Sequence, residues 1–313
     1  MSQDDQHQHG IRQKPTPVYY QPPAEHENHY QQMVKWLAIS LTSLFVLACL
    51  FIVFADRILI YLPFSAEKKF VKPYEDATRY LYSDEHGAER EAIETYLDQL
   101  TADLATNMDL PEDMQIEVHY LDSDAVNAFA TLGGHVFICR GLLETLDDEN
   151  SLAMVISHEI AHVKNRDPIV GMARGLTIAM LYSYFTGDYS SLDVSGLGSE
   201  LGLSYFSREQ ERKADELGIQ ALHEHYGHVA GYDSLFSALQ VEQENNANDD
   251  SQSVNWFSSH PDLDERINSL SEQARTNNWQ LRNEQAYPEN IIEALNIINI
   301  KKQEIDLGIK KAI

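Results

Sequence analysis

The sequence predicts an α+β fold, rich in helix around a small sheet and preceded by one membrane-spanning helix. Three observations predict it. Val34 to Phe54 is almost continuously apolar. Residues 115–140 alternate polar and apolar side chains between turn residues, and from Ser151 onward apolar residues recur at helical spacing.

The first 33 residues carry Gln3, Gln6, His7, Gln8 and His9, then Pro15, Pro17, Pro22 and Pro23. They lack apolar periodicity and read as a disordered polar tail, in which His7, His9, His26 and His29 are solvated rather than ligands. Residues 34–56 read as a transmembrane helix, since a run of about 20 apolar residues spans a bilayer. Bulky Phe51 and Phe54 stand where a cleavable leader would need small residues, so an uncleaved anchor is expected. Arg57, Lys68, Lys69 and Lys72 follow the span and only Lys35 directly adjoins its other end. That bias leans the following domain toward the cytoplasm, but a large domain can translocate against it, so the side stays open.

Residues 57–280 read as the globular domain. Gln115 to Leu121 places Ile116, Val118 and Tyr120 on one face, as a half-buried strand requires. Asp122 to Asp124 make a turn, Ala125 to Leu132 a second strand, Gly133–Gly134 a second turn, and His135 to Arg140 a third strand. Ile169 to Phe185 is apolar, but Arg174 and two glycines interrupt it. It is expected to be a buried or amphipathic helix rather than a second span. Asn245 to Ser253 is a polar loop. Residues 281–313 form a helical extension, with Ile and Leu at helical spacing from Glu289 onward.

With 49 acidic against 23 basic side chains the net charge is -26, which repels phosphate backbones and excludes nucleic acid as a partner. Of two cysteines, Cys49 lies in the apolar run and Cys139 in a strand, so no intramolecular disulfide is expected. A chain of 313 residues has ample length for an enzyme core.

The chemistry concentrates in a helix from Ser151 to Asn165, with Asp147, Asp148 and Glu149 before its positive end and Lys164 and Arg166 at its negative one. In His158-Glu159-Ile160-Ala161-His162 the two histidines are four apart and share a face, so both imidazoles can reach one ion. Glu159, offset by one residue, can act on a water at that ion without being a ligand. Two neutral imidazoles suit Zn2+, which polarises a peptide carbonyl and acidifies water, while a carboxylate serves as general base. A catalytic zinc takes a third protein ligand and keeps the fourth position open. Ser207 to Glu216 offers carboxylates on one helix, opened by a Ser207–Gln210 capping box. Glu211 and Asp215 share a face there, although spacing alone does not choose Glu211 over Glu209 or Glu216.

These motifs give the chain a resemblance to the HtpX-like and CAAX-prenyl-protease-like family of gluzincin zinc metallopeptidases. In order they are Asn127-Ala128-Phe129, Gly133-Gly134-His135, Arg140-Gly141-Leu142-Leu143, His158-Glu159-x-x-His162, Ser207-Arg208-x-x-Glu211-x-x-Ala214-Asp215, and His260-Pro261 ahead of Arg266-Ile267. The resemblance covers roughly Tyr74 to Ala274. It implies one zinc per chain held by His158, His162 and Glu211, Glu159 as general base, and Asp215 and Arg266 as orienting residues. It also implies a site role for His260, and an edge strand at Asn127, Ala128 and Phe129 that pairs with extended peptide. The expected activity is hydrolysis of internal peptide bonds in misfolded or membrane-proximal proteins, at a bacterial inner membrane with a single pass. The Gln/His/Pro tail and single anchor depart from the multispanning relatives, so neither a membrane-embedded chamber nor prenylated substrates carry over. A zinc-retaining chaperone or membrane scaffold is the rival reading.

Overall fold

A computed structural model describes residues 29–59, 61–67, 87–186, 206–237, 260 and 263–306. The tail up to residue 28, the polar loop at 245–253 and Pro261 lie outside the described residues. The chain divides into two compact units, 1–47 and 48–313.

Helix α1 runs from His29 to Leu59. Its stretch His29–Phe51 is the one described helix long and apolar enough to cross a membrane, and none of its most apolar window is buried. Trp36, Leu37, Phe45 and Leu47 stand exposed, a surface that suits lipid rather than water. The helix overruns the predicted 34–56 at both ends because its backbone hydrogen bonds continue past the apolar stretch.

The second unit is built on α2 (Gly87–Thr106), β1 (Glu117–Leu121), β2 (Ala128–Ala130), β3 (His135–Cys139), α3 (Arg140–Thr145), α4 (Glu149–Asn165), α5 (Asp167–Thr186), α6 (Arg208–Tyr226), α7 (Leu263–Thr276) and α8 (Glu289–Asp306). This helix-rich architecture with one small sheet is the predicted fold class. The sheet order is β1-β3-β2, with β1 parallel and β2 antiparallel to the central β3. β2 is shorter than the predicted Ala125–Leu132, because the Asn127 N–H turns back to the Ala125 carbonyl and Leu132–Gly134 form a 3-10 turn. Gly134 has φ +90° there, and a Cβ would stand 2.0 Å from the Gln115 carbonyl oxygen, so only glycine fits.

One core joins these elements. Ile93 and Leu97 of α2, Val118 and Tyr120 of β1, Leu152 and Ile156 of α4, Ile219 and Leu222 of α6 and Ile291 and Ile298 of α8 belong to it, so the C-terminal helix packs into the domain. Helix α4 starts two residues earlier than Ser151 because Asp148 caps it, accepting from the Ser151 N–H at 2.9 Å and its hydroxyl at 2.6 Å. It ends where Arg166 adopts the left-handed conformation, φ 67°. Helix α5 buries Ile169 and Val170 near its start and Ser183 near its end, whereas Ile178, Met180 and Tyr182 are exposed, the two-faced character of an amphipathic helix.

Candidate active site

Helix α4 crosses the domain with every residue from Glu149 to Val163 buried, including His158, Glu159 and His162. Helix α6 packs along it. Small residues on α6 allow close approach: Ala214 is fully buried, and a Cβ on Gly218 would lie 3.3 Å from the His158 backbone nitrogen. The face carrying Gly218 and Ala214 also carries Glu211 and Asp215, at the spacing of successive helical turns. Thus the crossing delivers two carboxylates to the histidine pair.

The Nε2 atoms of His158 and His162 stand 3.0 Å apart. Glu211 Oε1 is 3.5 Å from His162 Nε2, and Glu211 Oε2 is 3.6 Å from His158 Nε2. Behind each imidazole stands another carboxylate: His158 Nδ1 is 3.0 Å from Asp215 Oδ1, and His162 Nδ1 donates to Asp167 Oδ2 at 2.8 Å. An ionised carboxylate only accepts, so each Nδ1 carries a proton, which leaves Nε2 as the nitrogen able to face an ion. Arg266 forks onto Asp215 at 2.8 and 2.6 Å and reaches Glu211 at 2.8 Å. His260 enters from outside the crossing. Its Nδ1 lies 3.0 Å from both Glu211 oxygens and 3.3 Å from His158 Nε2, and its Nε2 lies 3.6 Å from Glu159 Oε1. Donor atoms of His158, His162, Glu211 and His260 all lie within 4.8 Å of one another, and all four residues are buried.

Electrostatics follow from this packing. Burial opposes charge on Asp215, but Arg266 outweighs it and holds the carboxyl below its ordinary range. Burial likewise opposes an ionised Glu211, yet His260 and His162 hold its pKa well below the usual value. His158 is pushed down, chiefly by burial. His162 is pulled the other way, to about 10: burial disfavours its charge, but the Asp167 and Glu211 hydrogen bonds prevail. The buried acids around His162 thus favour a positive charge there, the demand a bound cation would meet.

Among the residues singled out from sequence, His158, Glu159, His162, Glu211, Asp215, His260 and Arg266 come together here. Glu209 and Glu216 instead pair with Arg212 on the exposed side of α6. Asn127, Ala128 and Phe129 lie at or beside β2, an edge of the sheet; Asn127 and Ala128 are buried while Phe129 is half-buried. Sequence reasoning missed Asp167, Gln210 as its partner, and Phe206. Gln210 accepts from the Ser207 N–H in the capping box and donates its amide to Asp167 Oδ1 at 2.6 Å. One side chain thus closes α6 and fixes the group behind His162. Phe206 stacks on the His162 ring, centroids 3.9 Å apart. The available signal for Asp167 was its place directly after the α4 terminus, where the left-handed Arg166 turns the chain back under His162.

The sequence profile of peptidase family M48 matches residues 91–274. The chain is 25% identical over 278 residues to the protease HtpX of a Psychrobacter species, covering 74% of this chain and 84% of that protein. To mitochondrial metalloendopeptidase OMA1 of Schizosaccharomyces pombe it is 34% identical over 115 residues, covering 35% of this chain and 33% of the relative. To the β-barrel assembly-enhancing protease of Yersinia pestis it is 30% identical over 116 residues, covering 33% of this chain and 24% of the relative. The chain therefore spans about a quarter of the length of the β-barrel assembly-enhancing proteases it matches.

Proposed function

This chain belongs to peptidase family M48, and from that premise we propose that it is a membrane-anchored zinc metalloendopeptidase of the HtpX-like and CAAX-prenyl-protease-like group. The observation that carries this reading is the convergence of the His158 and His162 Nε2 atoms on the Glu211 carboxylate, each imidazole backed by an acid. Two oriented neutral imidazoles and one carboxylate are a zinc donor set, so the residues fit the ion. We assign one Zn2+ per chain, with His158, His162 and Glu211 as its ligands.

A zinc ion bound there supplies Lewis-acid polarisation of the scissile carbonyl and a water acidic enough to ionise near neutral pH. Glu159, one residue from His158 and buried beside His260, takes the water's proton and passes it to the departing amine. Asp215 fixes His158, and Arg266 fixes Asp215 and Glu211 in turn. His260, whose Nε2 lies 3.6 Å from Glu159 Oε1, is placed to steady the reacting oxygen. An extended peptide pairs with the free edge of β2, where the backbone beside Asn127, Ala128 and Phe129 selects main chain over side chain.

The same reading takes residues 1–33 as the tail, 34–56 as the anchor, 57–280 as the catalytic domain and 281–313 as its helical extension. It places the protein at a bacterial inner membrane in quality control, acting on misfolded or membrane-proximal proteins. Support for the setting comes from the exposed apolar α1 and from the match to HtpX across most of both chains.

One observation favours a second reading, a non-catalytic zinc-retaining chaperone or scaffold: His260 stands at the fourth corner, and a closed set of four ligands marks a structural zinc. Purified protein and its Glu159→Gln variant separate the two. The enzyme holds one zinc at the His158–His162–Glu211 centre in both forms and cleaves an unfolded protein about 10²–10⁴-fold faster as the parent. Bound zinc with no cleavage by either form establishes the scaffold instead.

A further inference from the structure

A second group of ligand-type side chains lies on the sheet, apart from the α4–α6 crossing. Val118 and Tyr120 of β1 face the core, so Glu117 and His119 project from the opposite face. Register places Glu117 directly across from His135 of β3. His119 Nε2 stands 2.9 Å from His135 Nδ1, and Glu117 Oε2 stands 3.7 Å from the same nitrogen. One donor atom from each residue lies within 4.8 Å of the other two.

We propose that Glu117, His119 and His135 form a second divalent transition-metal site, with zinc as the ion it takes. The proposal stands whether or not the α4–α6 centre is a peptidase. Ligand atoms about 2.0–2.1 Å from a shared ion stand roughly 2.9–3.4 Å apart at bond angles between square and tetrahedral. The His119–His135 nitrogen separation falls in that span, as does the 3.0 Å of the His158–His162 pair. All three ligands sit on two hydrogen-bonded strands, which hold them in place before the ion arrives. His135 is buried and His119 half-buried, whereas Glu117 opens to solvent, giving the ion an entry side and room for water as further ligands. A net charge of -26 concentrates cations around the protein.

The alternative is a plain imidazole–imidazole hydrogen bond. It explains the 2.9 Å separation but leaves the Glu117 carboxylate 3.7 Å from His135 Nδ1, beyond hydrogen-bond reach. An ion would also tie β1 to β3 just after the Gly133–Gly134 turn. It would fix a ring on which others stack: His119 lies on Phe137 at 4.9 Å and Phe137 on Phe129 at 5.0 Å. Occupancy thus stiffens the sheet as far as its β2 edge.

The test uses the full chain in detergent, with His7, His9, His26 and His29 changed to Gln so that the tail contributes no sites. The protein is stripped with chelator, titrated with Zn2+, and analysed for metal per chain by elemental mass spectrometry. Two zinc ions are expected, and one in His119→Phe, which keeps a ring against Phe137. Glu117→Gln removes an exposed ligand without touching the core and should weaken the second ion tenfold or more, with an unchanged melting curve in chelator. Equal zinc in the parent and in His119→Phe, or unchanged affinity for that ion in Glu117→Gln, overturns the site.

Discussion

Helices α1 and α4 invert the usual rule of burial in opposite directions. Along α1 the large apolar side chains Trp36, Leu37, Phe45 and Leu47 are exposed, while along α4 the polar Asn150, Ser151, Ser157, His158, Glu159 and His162 are buried. Exposed apolar residues scattered singly mean little, and so does a polar residue on a surface. A contiguous apolar surface and a run of interior polar groups each need a partner. For α1 the length and composition of the helix suit lipid; for α4 the partner is the set of carboxylates and guanidinium brought by α6 and α7. Burial in this chain therefore reports what each helix is made to contact, and composition alone would have ranked the two the other way.

The sharpest way to break the comparison is to remove a partner from α4. Glu211→Gln takes a buried countercharge from Arg266, His162 and His260, and should lower stability by about 3–5 kcal/mol while abolishing zinc binding at that centre. A urea melt and metal analysis read both, and a variant that keeps its zinc would leave α4 without a metal explanation. On the other side, Leu47→Arg in α1 should cost membrane insertion about 2.5–3.5 kcal/mol, read as protein released from membranes by alkaline carbonate. Unchanged retention would sever the exposed apolar surface from lipid.

Smaller changes sharpen the contrast. Asp167→Asn weakens the acceptor behind His162 and should reduce zinc affinity about 10–100-fold with the fold intact, measured by competition with a chromophoric chelator. Gln210→Ala should act in the same direction through Asp167, since both are positioning residues rather than ligands. The least effect belongs to an exposed pair. Arg140 is buried among Asp122, Asp124, Glu144 and Asn299, but Asp124 itself is largely exposed. The Lys302 hydrogen bond holds the Asp124 pKa below its ordinary 3.8. A depressed carboxylate stabilises above the unfolded value and loses that contribution as pH falls through the folded one. Asp124→Asn should therefore cost less than about 1 kcal/mol at pH 7 and nothing in strong acid, as melts at the two pH values would record.

How much was legible beforehand varies with the range of the interaction responsible. The His158–His162 face, the Ser207–Gln210 cap and the apolar α1 each arise within one or two helical turns, and each could be read from spacing. The length of β2 was misjudged because its ends are set by the Asn127 turn and the Leu132–Gly134 turn, whose hydrogen bonds override an apolar pattern. Helix α5, read as buried or amphipathic, buries Ile169, Val170 and Ser183 while Ile178, Met180 and Tyr182 are exposed.

Sequence by itself determined the helix-rich class with a small sheet, the anchor, and a histidine pair able to share an ion, because these depend on periodicity and near neighbours. Spacing on α6 left three acids in competition. Tertiary structure separated them: the crossing at Ala214 and Gly218 turns Glu211 and Asp215 inward and leaves Glu209 and Glu216 with Arg212 at the surface. It also decided that Asp167 stands behind His162 and that Glu117, His119 and His135 meet across two strands. Contacts between residues far apart in the chain depend on how elements pack in space, and no local pattern encodes that distance.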